Sequence, residues 1–405
     1  MITVIVLACI AQRGGSDLEK RPGQSAICDK LAPIMSTNAT QRIVVKLGTS
    51  TLTAGTTQLS LPRMVELVRQ MAQLHRSDYE VILVTSGAIA AGRERLSFRQ
   101  LPKDIPAKQM LAAVGQPRLM AIYEQLFGLY GLTVAQVLLT RADLADRRRY
   151  LNSRNTLAAL LAQRIVPVIN ENDTVATEEI RVGDNDNLSA LVANLVEANW
   201  LILLTDQPGL FTADPRQNPT AELVREVTGP EIPADLWRAA GGSAGGLGTG
   251  GMYTKLQAVD LARRSGAQVI IACGSEPNVL SRLVNGEVLG TRFHSLGSAL
   301  EGRKRFVLAG RRAPGLLFVD EGAAKALRRG GSLLPVGVTA VRGKFERGDT
   351  VRVAGPDEKE IARGLVNYSA ADLERIRGMQ SEAIERTLGF FYGDEVIHRN
   401  NMVLL

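Results

Sequence analysis

Six short, mostly apolar runs constrain this chain more than any other feature: residues 42–47, 81–84, 133–139, 165–169, 200–204 and 268–272. Near-continuous apolar runs of this length read as strands buried on both faces. Between them the apolar spacing is helical, over 62–75, 89–96, 106–130, 142–163, 188–198 and 254–265. Pro62 sits at a first helical position, where its missing N–H costs nothing. A break is expected near Gly115-Gln116-Pro117, because an interior proline removes a helix hydrogen bond. The stretch 212–240 reads as a loop. Strand, turn and helix alternating in this way predict an α/β fold: one large, mostly parallel sheet with helices on both faces.

The pattern changes after Phe293. Residues 294–303 are polar and read as a linker. Short β-rich segments follow at 305–308, 315–319, 336–341, 350–353 and 361–366, with helices expected at 321–329 and 371–377. That is the pattern of a small β-barrel-like second domain. A chain of 405 residues is too long for one ordinary core, so two or three domains are expected.

Composition narrows the class. Aromatics make up only 4% while glycines number 39, which suits tight turns between strands and helices better than a β-sandwich. The three cysteines, Cys9, Cys28 and Cys273, form no CxxC pair and are odd in number, pointing to a reducing, cytoplasmic setting. Three scattered histidines argue against a histidine-based metal site. Net charge is +7, and residues 301–405 hold 18 basic and 14 acidic side chains, so +4 of it lies there. That is compatible with nucleic acid but is met as well by an arginine-rich solvated surface.

The apolar run 2–10 lacks a positive leader and is far too short to span a bilayer, so no membrane role is expected. Val6-Leu7-Ala8-Cys9 is only faintly similar to a lipoprotein cleavage site. Residues 11–40 are polar without a period and read as disordered. Met35 just precedes the first strand, so residues 1–34 are read as an extension or a start-site artefact.

Chemistry-bearing residues gather at the ends of the apolar runs, where ligand sites form in open α/β sheets. Lys46 ends the first run and is followed by Gly48-Thr49-Ser50. A lysine is seldom buried there without a partner, although snorkelling to water is common. Thr85-Ser86-Gly87-Ala88 repeats the turn at the second run. Asn170-Glu171-Asn172-Asp173 follows the fourth run, and Gly183-Asp184-Asn185-Asp186-Asn187 opens the next helix. Two acids and two amides in a row exceed the needs of one helix cap.

Gly246-Leu247-Gly248-Thr249-Gly250-Gly251 satisfies G-x-G-x-x-G, but no strand immediately precedes it and Met252 stands where a Walker lysine would be. What survives is a glycine-rich turn before a helix N-terminus, with Lys255 in the first turn. The dipole disfavours a cation there unless an anion is near. The bland alternative at each place is a flexible loop, a cap or a packing turn. Two glycine turns together with Lys255 point to phosphate binding.

Taken in order, several motifs resemble the glutamate 5-kinase family of the amino-acid kinase superfamily. They are Val45-Lys46-Leu47-Gly48-Thr49-Ser50, Val84-Thr85-Ser86-Gly87-Ala88, Val168-Ile169-Asn170-Glu171-Asn172-Asp173, Gly183-Asp184-Asn185-Asp186-Asn187-Leu188 and Gly248-Thr249-Gly250-Gly251-Met252-Tyr253-Thr254-Lys255. The resemblance runs from Arg42 to the C-terminus. Ser332-Leu333-Leu334-Pro335-Val336-Gly337-Val338 is similar to the PUA domain. Tyr253 departs from the pattern, standing where a small hydroxyl residue is common. The resemblance implies an extension over 1–40, an amino-acid kinase domain over 41–293, a linker, a PUA domain over 304–395 and a tail over 396–405.

It also implies transfer of the γ-phosphoryl group of ATP to the side-chain carboxylate of L-glutamate, opening proline biosynthesis. Lys46 and Lys255 would stabilise the transferring group from opposite sides, with Asp184 orienting both. Gly48 and Gly87 would give backbone donors. Thr205, Asp206 and Thr249, Gly250, Gly251, Met252, Tyr253, Thr254 and Lys255 would line the ATP site. Ser86, Asn170, Asp173, Asn185 and Asp186 would hold glutamate. Mg²⁺ would bridge the phosphates with few direct protein ligands. A homo-oligomer, feedback inhibition by proline and a downstream glutamyl phosphate reductase are further implied.

The nearest enzymatic rivals act on N-acetylglutamate, aspartate or carbamate. A free substrate amine calls for acidic partners, which Asp173 and Asp186 would supply, and this favours glutamate. The rival from another class is RNA binding through the PUA domain, which would leave the lysine and glycine constellation unexplained.

Overall fold

The computed structural model describes residues 41–97, 104–176, 185–241, 251–297 and 315–405. The expectations for residues 1–40, for a strand at 305–308 and for the end of the linker lie outside them. Two sheets carry the fold. The first has eight strands: β1 (Arg42–Leu47), β2 (Glu80–Thr85), β3 (Val134–Leu139), β4 (Val166–Glu171), β5 (Trp200–Thr205), β6 (Glu226–Val227), β7 (Gln268–Cys273) and β8 (Thr291–Phe293). Their spatial order is β3-β4-β2-β1-β5-β7-β8-β6, parallel throughout except that β8 runs antiparallel to β7.

The central strands are apolar on both sides because helices cover both faces. In β1, Ile43, Val45 and Leu47 pack into one core layer and Val44 into the other. Side chains alternate along a strand, so Lys46 shares the face of Val44. That face is covered by helices of its own, and two of them shape the crevice: Asn185–Leu195 and Met252–Arg264 contribute Leu188, Val192, Leu256 and Val259 to the same layer.

In chain order the helices of this part are α1 (Thr49–Thr53), α2 (Leu61–Arg76), α3 (Ala88–Arg95), α4 (Ile105–Gly128), α5 (Arg141–Ala145), α6 (Arg147–Ala162), α7 (Asn185–Leu195), α8 (Ala234–Ala239), α9 (Met252–Arg264) and α10 (Val279–Val284). The chain leaves β1 toward β2 on one side and returns to β5 on the other. The strand order therefore switches at β1, and a crevice opens at the carboxyl ends of its neighbours.

Some expectations are corrected. Helix α4 runs unbroken through Pro117. The reason lies in packing: α3 and α4 cross so closely that a Cβ on Gly92 would stand 1.9 Å from the Leu111 carbonyl oxygen, and one on Gly115 would stand 1.8 Å from that of Ala88. The close crossing offsets the hydrogen bond that Pro117 cannot make. The expected helix over 142–163 is two helices, α5 and α6, divided at Asp146, whose carboxylate caps the second by accepting the Arg149 N–H. Within 212–240, read as a loop, lie β6 and α8.

The second sheet contains β9 (Gly315–Val319), β10 (Val338–Gly343), β11 (Thr350–Ala354), β12 (Glu360–Leu365) and β13 (Met402–Leu404), in the order β10-β9-β11-β12-β13. Among the described residues of this sheet, only β9 and β11 pair in parallel. Residues 396–405, expected as a tail, end in an edge strand paired with β12. The arginine run 147–149 of α6 meets this sheet in part: the Arg147 guanidinium donates to Thr350 Oγ1 at 2.8 Å. Arg154 donates to the Asn400 carbonyl at 3.1 Å and to Asn401, and Leu151 packs with Leu365 and Val403.

Candidate active site

The carboxyl ends of β1, β2, β4 and β5, together with the N-termini of α7 and α9, bring most of the expected residues to one crevice. Lys46 comes from β1 and is 4% exposed. Gly48 follows it, and a Cβ there would stand 3.3 Å from Lys46 Nζ, so glycine leaves the ammonium its space. Lys255, 8% exposed, projects from the first turn of α9. Both ammonium groups converge on Asp186, the second residue of α7: Lys46 Nζ lies 2.7 Å from Oδ1 and Lys255 Nζ 3.2 Å from Oδ2. The Thr254 hydroxyl lies 2.9 Å from Asp186 Oδ2 and from the Gly251 carbonyl, with one hydrogen to give between them.

Asp186 is 1% exposed. Burial raises its pKa, but Lys46, Lys255 and Thr254 outweigh burial and hold it below the ordinary carboxylate range. The cation in the first turn of α9, disfavoured by the helix dipole, is thus compensated by this carboxylate. The expectation placed Asp184 against the lysines and Asp186 against the amino acid. Asp184 lies outside the described residues. Asp186 takes the place between the lysines, because the first turn of α7 directs it at the β1 face that carries Lys46.

The amides form a second arrangement beside the first. Asn185 Nδ2 donates to Ser86 Oγ at 3.0 Å and to Asn170 Oδ1 at 3.1 Å. Asn170 Nδ2 donates to Gln116 Oε1 at 2.8 Å, and Gln116 Nε2 to Gln136 Oε1 at 3.1 Å. Asn185 Oδ1 is buried and has no hydrogen-bond partner among the described residues. A buried acceptor left so costs free energy until a donor reaches it. Ser86 is held from behind, since Thr85 Oγ1 donates to its carbonyl and meets the Tyr123 hydroxyl at 2.7 Å. Gly87 takes φ +106° at the N-terminus of α3, a conformation that favours glycine. Asp173 is half-buried, and burial pushes its pKa up to about 6. Gln116 and Gln136 were not singled out from the sequence, where a glutamine on a helix and one in a strand carry no signal.

Next to Lys255 lies a cavity of ≈ 850 Å³, whose lining includes Ser50, Thr205, Asp206, Gly251, Met252 and Lys255. Thr205 Oγ1 donates to Asp206 Oδ1 at 3.0 Å. Tyr253 packs edge-on against Trp237, with ring centroids 5.4 Å apart. Thr249 and Gly250 lie outside the described residues. Among those residues no three or more His, Cys, Asp or Glu side chains gather as a metal cluster. Chemically, the crevice sets two buried ammonium groups between a large cavity and a neutral amide cluster, an arrangement able to hold polyanion and small amino acid side by side.

Comparison with known proteins agrees with this geometry. The amino acid kinase family matches residues 41–273 and the PUA domain matches residues 315–388. A glutamate 5-kinase from Photobacterium profundum is 59% identical over 366 residues, covering 90% of this chain and 96% of that protein. One from Shewanella amazonensis is 57% identical over 366 residues, with the same two shares. A third, from Sodalis glossinidius, is 56% identical over 368 residues, covering 91% of this chain and 100% of its own.

Proposed function

The chain belongs to the amino acid kinase family, among the glutamate 5-kinases, and from that premise we propose how its residues divide the work. The reaction moves the γ-phosphoryl group of ATP to the side-chain carboxylate of L-glutamate, giving L-glutamyl 5-phosphate, the first step of proline biosynthesis. The nucleophile is ionised at pH 7, so no general base is required. The obstacle is bringing an anion against a polyanion, and catalysis is positioning plus charge neutralisation.

The observation that carries the assignment is the convergence of Lys46 and Lys255 on Asp186 beside the large cavity. In our reading ATP fills that cavity along Thr205, Asp206 and the 249–255 segment. Its γ-phosphoryl group draws the two ammonium groups from the shared carboxylate, and they neutralise charge on the transferring group from opposite sides. Asp186 keeps them aimed and keeps their charge compensated when ATP is absent. Gly48 and Gly87 leave backbone N–H groups open to the phosphates. Mg²⁺ arriving with ATP would neutralise further phosphate charge, Asp206 being one of three carboxylates on the cavity wall, with Asp214 and Asp235, that could approach it.

Glutamate takes the amide side. Its ammonium group would satisfy the buried Asn185 Oδ1 and pair with Asp173, and its carboxylates would accept from Ser86 and neighbouring amides. The free amine favours glutamate over N-acetylglutamate. Among the described residues no helix is long and apolar enough to cross a membrane. We further propose a cytoplasmic homo-oligomer, inhibited by proline, whose labile product passes to a reductase. RNA binding by the C-terminal domain has no specific observation in its favour.

The test is incubation with ATP, Mg²⁺ and hydroxylamine, which traps an acyl phosphate as a hydroxamate. Glutamate should give the product and acetylglutamate and aspartate little. Absence of hydroxamate with glutamate overturns the reading.

A further inference from the structure

The amide cluster has a direction, and it is set outside the residues expected to touch substrate. Asparagine and glutamine side chains can be turned end for end, and only their partners decide which end is oxygen. In this cluster one partner is unambiguous. The backbone N–H of Glu171 points at Asn170 from 2.9 Å, and a backbone N–H can only donate. The atom it meets must be Oδ1, so Asn170 presents Nδ2 on its other side and needs an acceptor there. Gln116 Oε1 is that acceptor, at 2.8 Å. Asn170 Oδ1 then receives Asn185 Nδ2, which leaves Asn185 Oδ1 as the end without a partner among the described residues. Turning Gln116 would set two donors face to face against Asn170.

Gln116 is itself held in place. It is 9% exposed, and its neighbour Gly115 sits at the tight crossing against Ala88, two residues beyond Ser86. Gln136 on β3 accepts from its Nε2 at 3.1 Å. The chain Gln136–Gln116–Asn170–Asn185–Ser86 thus ties α4 and β3 to the crevice through a continuous series of amide hydrogen bonds.

We propose that Gln116 is a positioning residue for the amino-acid substrate: acting through Asn170, it fixes the Asn185 amide with its acceptor available to the substrate ammonium. This rests on the glutamate kinase reading and names a residue that reading does not use. A leucine at 116 removes the acceptor and leaves Asn170 Nδ2 without its anchor, so the Asn170 side chain can swing and Asn185 with it, although the Glu171 N–H still decides which end of Asn170 is oxygen. A glutamate at 116 keeps an acceptor for Asn170 Nδ2 in either charge state, and exposed Gln136 can turn to suit it.

The experiment measures steady-state kinetics of the full chain carrying Gln116→Leu, Gln116→Met or Gln116→Glu, with thermal melting of each. Expected for Leu and Met is a glutamate KM raised about tenfold, the loss of one hydrogen-bonded orientation. Turnover and the ATP KM should stay within about threefold, a change worth less than one such bond. Gln116→Glu should recover most of the glutamate KM. Unchanged glutamate KM in Leu and Met overturns the proposal. So does a parallel rise in both KM values with a lowered melting temperature, which marks general damage to the fold. A parent enzyme that makes no hydroxamate from glutamate overturns the functional reading instead, and is told apart because it precedes any comparison of variants.

Discussion

The two halves of the crevice are built from different chemistry. On one side two lysines and Asp186 form a buried charged cluster. On the other, Ser86, Asn170, Asn185 and Gln116 form a neutral hydrogen-bonded chain. Charge is strong and tolerant of angle, which suits a phosphoryl group whose charge shifts during transfer. Amides are weaker and directional, which suits recognition of a fixed pattern of donors and acceptors. The charged half should therefore govern turnover and the neutral half substrate affinity. Changes in each half test that division.

The largest effect is expected at Asp186. Asp186→Ala leaves two buried ammonium groups without their shared partner, which typically costs about 3–5 kcal/mol. Urea unfolding should show that loss, and hydroxamate formation should vanish. The pH dependence has the matching sign. Because the folded pKa is depressed, the stabilisation from Asp186 is present above the unfolded value, about 4, and is lost as pH falls through the lower folded value. A fully stable Asp186→Ala protein would show that the lysines have other adequate partners.

Lys46→Ala and Lys255→Ala come next. Each should lower turnover about 10²–10³-fold, the usual cost of one preorganised stabilising group, with milder changes in glutamate KM. Near-normal turnover in either variant removes that lysine from phosphoryl transfer. If glutamate KM rises instead, the division between the halves fails.

A smaller effect is expected at Asp173, whose pKa is pushed up to about 6 by burial. As a carboxylate it would pair with the substrate ammonium, so glutamate KM should climb as pH falls through 6. Asp173→Asn should give a raised KM with no such slope. An unchanged slope in that variant would assign the titration to another group. In the ligand-free protein the sign is opposite to that of Asp186: a raised carboxylate pKa makes folding less favourable as pH climbs from about 4 toward 6.

The smallest effect belongs to Gln136→Ala, at the exposed end of the amide chain. Water can replace its acceptor, so glutamate KM should change by less than about twofold, a fraction of one hydrogen bond. A large rise would mean that the chain depends on its outer end.

Much of the fold was legible in the linear pattern. The runs that became β1, β2, β4, β5 and β7 are apolar on both faces because helices cover both, and that leaves a mark in sequence. Strands β6, β8 and β13 are two or three residues long and exist only through their pairing, so no local pattern could reveal them. Pro117 misled because tight packing of α4 on α3 overrode a local preference. Three arginines in a row on α6 carry no sign of the sheet that Arg147 meets.

In the site, the sequence by itself determined the inventory: lysines at a strand end and in a first helical turn, and acids and amides crowded before a helix. Their excess over capping needs was visible without a structure. Tertiary structure decided who faces whom. Asp184 and Asp186 are equivalent on paper, and only the placement of α7 against the Lys46 face of β1 sets Asp186 between the ammonium groups. Gln116 joins the crevice through a helix crossing that no spacing rule predicts. The physical reason is one of range: strand and helix periodicity is written in neighbours along the chain, whereas the partner of a buried charge or amide is fixed by which elements pack together.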